Sequence, residues 1–163
     1  AGKKKDQRLY YLMQTICSTG IRVSELRFIT AEAVREGRAE VALKGKVRVV
    51  LLPAPLCRVL KSYMKERNIR KGSLFVTRSG RPLDRSNIWH EMKALCESAG
   101  VDKEKVFPHN LRHLFACTYY KKEKDLSHLA DLLGHSSIDT TRIYTMVSGE
   151  EQSRRIAALG LVV

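Results

Sequence analysis

Apolar residues recur along this chain with two different periods. Leu9, Leu12, Met13 and Ile16 fall at the i, i+3, i+4, i+7 spacing of one helical face, which predicts an amphipathic helix over residues 6–18. Thr19-Gly20 ends it, glycine being the natural residue for a left-handed C-terminal position. A second short helix is predicted in IRVSELRFI, with Val23, Leu26 and Ile29 inward. Over residues 39–53 the period becomes that of strands. AEVAL, then KGK, then VRVVLLP read as a β-hairpin with Gly45 at the turn. Helical spacing returns through Leu56, Val59, Leu60, Tyr63 and Met64, and the apolar run Leu74-Phe75-Val76 is expected to add a third strand to the hairpin.

After a loop at Ser79-Gly80-Arg81-Pro82, Asp84 or Ser86 can cap a helix that carries Ile88, Met92, Leu95, Cys96 and Ala99 and stops at Gly100. Pro108 suits the start of the next helix, with Leu111, Leu114 and Phe115 supplying its inner face. Asp125 caps a short helix, Leu126 to Leu133, closed by Gly134. SSIDTTRIY reads as a further short helix with Ile138 and Ile143 inward, and the tail EEQSRRIAALGLVV is amphipathic. The expected class is α+β, mostly helical, with one small antiparallel three-stranded sheet.

Composition changes this picture mainly through charge. Thirty Lys and Arg face seventeen Asp and Glu, a net charge of +13. That excess does not help the fold but favours a polyanionic partner, because each cation near a phosphate releases condensed counterions. Lys44, Lys46 and Arg48 cluster at the hairpin tip and along its second strand. Between Arg58 and Lys93, a stretch that includes Arg78 and Arg81, ten Lys or Arg face only Glu66, Asp84 and Glu91, so this side reads either as a solvated face or as a DNA-facing flank.

Cys17, Cys57, Cys96 and Cys117 form no CxxC pair and read as small buried residues of a reducing compartment. No apolar run approaches a membrane span and no signal-peptide core is present, so a cytoplasmic location without membrane contact is expected. The 163 residues suit one domain, and AGKKKDQ standing directly before a helix is expected of an excised domain.

The candidate chemistry lies in separate blocks. Arg22 and Glu25 are three apart and share a helical face; His109 and Arg112 are one turn apart; His135 follows a Leu-Leu-Gly helix end, and Tyr144 comes nine residues later. Transesterification at a phosphodiester needs a nucleophile, charge stabilisation on the non-bridging oxygens and a proton for the leaving 5′-oxygen. Tyrosine, with a pKa of about 10, is a weak nucleophile at neutral pH. Guanidiniums fit a phosphorane-like transition state with two fork-shaped donors, histidine trades protons near neutrality, and lysine can protonate an alkoxide.

TGIRVSEL, KGKVRVVLLP, HNLRHLFA and LGHSSIDTTRIYT resemble, in order, the four signature blocks of the tyrosine recombinase (phage integrase) family, over residues 6 to about 148. The resemblance implies a helical catalytic domain of the DNA breaking-rejoining enzyme type, with a small sheet whose hairpin presents lysine. It places Arg22 as the first catalytic arginine, with Glu25 supporting it. His109 and Arg112 match the family's His-x-x-Arg, His135 the second histidine and Tyr144 the nucleophile. Both Lys44 and Lys46 stand for the hairpin lysine, Lys44 being preferred because KGKxR fits with its first lysine in the catalytic place. The implied activity is cleavage and rejoining of double-stranded DNA through a 3′-phosphotyrosine, without metal or nucleotide cofactor, in a site-specific recombinase or integrase of a phage or mobile element. It further implies that residues 1–163 form a single C-terminal catalytic domain lacking an N-terminal core-binding domain. The full-length protein is then expected as a homo-tetramer on DNA, and the lone domain as a monomer. Ile156, Leu159 and Leu161 are candidates to dock the tail.

Each assignment has a plainer rival. Arg22 and Glu25 also suit a surface ion pair, and His109 with His113 has the i, i+4 spacing of a zinc helix, though no glutamate follows His109 and no third ligand is evident. A non-catalytic DNA-binding module, a type IB topoisomerase-like enzyme and an RNA-binding protein share parts of the pattern. An aromatic content of 7% offers few stacking platforms for RNA.

Overall fold

The computed structural model describes residues 3–135, 137–145 and 149–161. Helix α1 (Lys3–Thr19) lies against α3 (Ala54–Glu66), α4 (Arg85–Ala99) and α5 (Pro108–Glu123). Its predicted face is the buried one: Leu9, Leu12 and Ile16 are at most 5% exposed. The segment read as a second helix is a 3-10 turn, Val23–Phe28, with Leu26 and Ile29 fully inside and Val23 only half-buried.

A six-residue helix that the periodicity did not reveal follows as α2 (Ala31–Glu36). It is too short to display a period and is defined by its ends. The Thr30 hydroxyl accepts the Ala33 N–H at 3.1 Å, and Gly37 closes it at φ 75°.

Strands β1 (Arg38–Leu43) and β2 (Lys46–Leu51) pair antiparallel, with Leu43 opposite Lys46. The connection is therefore the two residues Lys44-Gly45, both at positive φ (51° and 73°), the pattern of a type I′ turn. Among the described residues the sheet has these two strands, not the expected three. Leu74 and Phe75 are buried at 1% exposure, but the Leu74 N–H donates to the Ile29 carbonyl and the Phe75 carbonyl accepts from Leu83. Isolated bridges Thr30–Ser73 and Val76–Pro82 take the place of a ladder. This short run, followed at once by a tight turn at Thr77–Arg81, pairs with the Ile29–Thr30 segment on one side and with Leu83 on the other and does not extend the hairpin.

Helix α4 is capped by Asp84, whose carboxylate accepts from Asn87, and ends at Gly100 in the left-handed conformation. Helix α6 (Leu126–Leu133), α7 (Ile138–Thr141) and a 3-10 turn (Arg142–Thr145) then fold back on α5. Two expected inner faces are corrected here. In α5 the buried positions are Pro108, Arg112 and Ala116, while Leu114 is 55% exposed. In the following segment Ile138 and Ile143 are exposed, and Thr141 and Tyr144 point inward. In both cases polar side chains occupy the inward slots.

The core therefore falls into two parts. The larger joins α1 to α4 and the hairpin, and the smaller gathers Ala116, Leu129, Leu133 and Tyr144 with Phe115 and Tyr119 at its margin. Gly20 marks the seam. At φ 65°, a Cβ there would sit 2.8 Å from Phe115 Cε1 and 3.0 Å from Leu133 Cδ2. The last helix, α8 (Gly149–Ala157), buries nothing among the described residues, and Ile156, Leu159 and Leu161 are 64–80% exposed. All four cysteines are unpaired; Cys57 and Cys96 are buried, whereas Cys17 and Cys117 are only half-buried. No helix among the described residues is long and apolar enough to cross a membrane.

Candidate active site

A cleft of ≈ 580 Å³ opens at the seam between the two cores, and Arg22, His109, Arg112, His135 and Tyr144 all line it. They are delivered by separate local devices. Arg22 precedes the 3-10 turn in extended conformation, with its own N–H bonded to Glu25 Oε2 at 2.9 Å. His109 and Arg112 come from the first turns of α5, which Pro108 opens with a ring suited to that position. His135 is set by the C-terminal geometry of α6. Gly134 turns left-handed, its N–H bonds the Asp131 carbonyl, and the His135 N–H reaches back to Ala130 at 2.9 Å.

Among the described residues Arg112 is the most deeply held cation, at 5% exposure. One Nη donates to the Gly20 carbonyl. The other donates to the Leu133 carbonyl at 2.8 Å and faces His135 Nε2 at 3.2 Å. Burial, with Arg22 and Arg48 nearby, lowers its pKa to about 10, so it stays charged at neutral pH. The same surroundings decide the state of His135. Burial first, then Arg112, Arg22 and Arg48, push its pKa down to about 4. A neutral imidazole beside a guanidinium must accept at Nε2, so Nδ1 carries the proton and donates to Thr141 Oγ1 at 2.7 Å. Thr141, fully buried, accepts that hydrogen bond and holds the ring in place.

Glu25 is also buried, at 1% exposure, and balances part of this charge. Its Oε1 accepts from Arg22 Nη1 at 3.0 Å and its Oε2 from Arg48 Nη2 at 2.6 Å. Burial pushes the carboxyl pKa upward, but the Arg22 N–H and the Arg48 guanidinium outweigh it and leave the pKa below its ordinary value. Three arginines around one carboxylate leave the site strongly positive, which suits an anion with two or more exposed oxygens. Tyr144 lines the cleft and is itself buried. It is 7% exposed, and its ring stands 5.0 Å from that of His113 at an interplanar angle of 60°.

The other expected residues lie apart. Lys44 and Lys46 are exposed at the hairpin tip and do not line the cleft. Arg78 and Arg81 are exposed on the 77–81 turn, also outside it. Arg48, expected on a DNA-facing strand, instead turns inward. It holds Glu25, donates to the Leu132 carbonyl at 2.9 Å and packs over Gly134, where a Cβ would lie 2.6 Å from its Nε. Among the described residues no three His, Cys, Asp or Glu are grouped to hold a metal ion.

Arg85 and Trp89 of α4 also line the cleft and were not singled out from the sequence. The signal was available for Trp89. It falls off the apolar stripe Ile88, Met92, Cys96, so an aromatic ring was bound to be left outside, and it is 45% exposed. Lys93 lies 5.4 Å from its ring and 5.8 Å from that of Phe107 and donates to the Val106 carbonyl at 3.4 Å, tying α4 to the entry of α5.

Comparison with known proteins gives concordant matches. Residues 1–151 match the model of the phage integrase family. Tyrosine recombinase XerD of Vibrio cholerae is 34% identical over 148 residues, covering 85% of this chain and 49% of that protein. Tyrosine recombinase XerA of Thermococcus kodakarensis is 33% identical over 155 residues, covering 91% and 53%. The chain thus spans about half the length of the curated relatives it matches. Among solved structures, XerA recombinase superposes with a TM-score of 0.77 at 28% identity, over 98% of this chain and 59% of that one. XerH site-specific recombinase bound to difH substrate superposes at 0.72 and 31%, over 90% and 44%.

Proposed function

The chain belongs to the phage integrase family, and from that premise we propose that its cleft cuts and rejoins double-stranded DNA by transesterification, in site-specific recombination. Arg22 and Arg112 clamp the non-bridging oxygens of one phosphate. Tyr144 Oη attacks the phosphorus, and a 3′-phosphotyrosine forms as the bond to the 5′-oxygen breaks. His109 takes part in proton transfer at the attacking or leaving oxygen, and His135 holds Arg112 in place and bonds the phosphate once the anion offsets the surrounding cations. The reverse attack by a 5′-hydroxyl rejoins the strand. The covalent link keeps the phosphodiester energy, so no nucleotide is consumed.

Lys44 protonates the leaving 5′-oxygen in this reading, delivered by movement of the hairpin tip. It occupies the first turn position at φ 51°, where Asn or Gly is favoured. A lysine there accepts a conformational cost of about 1 kcal/mol, which supports a role for its amine over that of Lys46. Lys46, Arg78 and Arg81 contact DNA phosphates outside the cleft. The exposed Ile156, Leu159 and Leu161 dock on a neighbouring copy in a tetramer assembled on DNA in the cytoplasm.

The observation that carries this reading is the meeting of Arg22, His109, Arg112, His135 and Tyr144, from segments far apart in sequence, in one cleft. The test is a pool of nicked suicide duplexes with randomised arms, in which cleavage releases a short strand and strands the protein on DNA. The unaltered chain is expected to give an adduct that survives denaturing electrophoresis. Tyr144→Phe is expected to give none, and an adduct from that variant refutes the assignment.

A further inference from the structure

We propose that His113 is a positioning residue for Tyr144, orienting the phenol so that its hydroxyl is presented to phosphorus. This rests on the reading of Tyr144 as the nucleophile. His113 follows Arg112 directly on α5, yet the two side chains take opposite settings, Arg112 buried and His113 exposed. The imidazole meets the phenol edge to face, with 5.0 Å between centroids.

The buried neighbours grouped with Tyr144 are Ala116, Leu129 and Leu133. Aliphatic contacts of this kind fix how deep a ring sits but not its angle, because dispersion has no preferred direction around the ring. An edge-to-face aromatic contact does have one, set by the quadrupole of the ring. His113 is therefore the directional neighbour of the phenol.

Its place in the sequence gives the contact a function. Arg112 is tied to Gly20 and Leu133, so α5 cannot turn about its axis without breaking both bonds. The helix that grips the phosphate thereby also sets the angle of the attacking group, one residue further on. Clamp and nucleophile are referenced to the same rigid element.

The test uses the 163-residue chain and the same randomised suicide pool, at saturating DNA. His113→Ala is expected to slow adduct formation roughly tenfold, the size of an aromatic pair's contribution expressed as a rate. His113→Phe, which keeps the ring edge and loses the nitrogens, is expected to stay within about twofold of the unaltered chain. The deciding readout bypasses the phenol. In a Tyr144→Ala background, hydrogen peroxide is supplied as nucleophile. Its oxygen bonds to phosphorus as the 5′-oxygen leaves and is protonated.

His113→Ala is expected to leave that peroxide-driven cleavage unchanged, because it needs the arginine clamp but no oriented ring. Equal loss in both reactions would assign His113 to phosphate binding or to the fold and overturn the proposal. So would a phenylalanine variant as slow as the alanine one, or an alanine variant as fast as the unaltered chain. Where alanine lowers stability, His113→Gln gives the same comparison without a ring. Failure of the unaltered chain to form any adduct would instead strike the parent reading.

Discussion

His135 is a histidine kept neutral by burial first and by neighbouring cations second. Its folded-state pKa of about 4 lies below the value of about 6.5 expected in the unfolded chain. On acidification the unfolded state therefore takes up the proton first. The stability that rests on neutral His135 is complete above pH of about 6.5 and is lost as pH falls toward 4. An anion in the cleft offsets Arg112 and Arg22, so the pKa should move back up toward its ordinary range when one binds. Imidazole NMR titration, alone and with orthovanadate as a phosphate mimic, measures both values, and an unchanged pKa with vanadate bound would mean that the anion sits elsewhere. Arg112 shows why residues of this kind escape a reading based on hydrophobicity. It occupies the inward slot of α5 that an apolar side chain would fill, as Thr141 does further on.

Gly20 and Arg48 act on whole elements. Adding a Cβ to Gly20 places it against the Phe115 ring at a backbone angle side chains avoid, so Gly20→Ala should destabilise the chain by about 2 kcal/mol or more. Urea unfolding measures this, and a midpoint unchanged from the parent would show that the seam between α1 and α5 is loose. Arg48 joins β2 to the 3-10 turn through Glu25 and to α6 through the Leu132 carbonyl. Arg48→Met keeps the stem but leaves a buried carboxylate with Arg22 as its remaining cation. We expect a loss of about 1–3 kcal/mol in stability, together with weaker vanadate binding as Arg22 is drawn toward Glu25. Unfolding and anion titrations on the same variant separate the two effects.

Elements with several turns, α1, α3 and α4, were legible because their apolar faces repeat. The six-residue α2 was not, and Leu74–Val76 was misread because a short buried run looks alike whether it joins a ladder or only fills a core. In the site, residue types and order were readable; the inward turn of Arg48 was not, since a basic residue on a half-exposed strand has no period that marks which way it points.

The whole molecule carries +13, spread over the hairpin tip, the 58–93 flank and the cleft. Binding to duplex DNA of arbitrary sequence should therefore weaken steeply with salt. A plot of log K against log salt with a slope of about −4.5 or steeper corresponds to about five or more phosphate contacts, and fluorescence anisotropy checks it. A shallow slope would confine the contacts to the cleft and leave Lys46, Arg78 and Arg81 without the partner proposed for them.

Arg112 also joins parts of the chain that are synthesised at different times. Its guanidinium rests on the carbonyl of Gly20, made before it, and on that of Leu133, made after it. On a ribosome, the arginine has nothing to brace its far side until Leu126–Leu133 has emerged and folded back. The grip proposed for it on a phosphate therefore waits on both carbonyls, and a copy still lacking the second holds its arginine braced on one side alone.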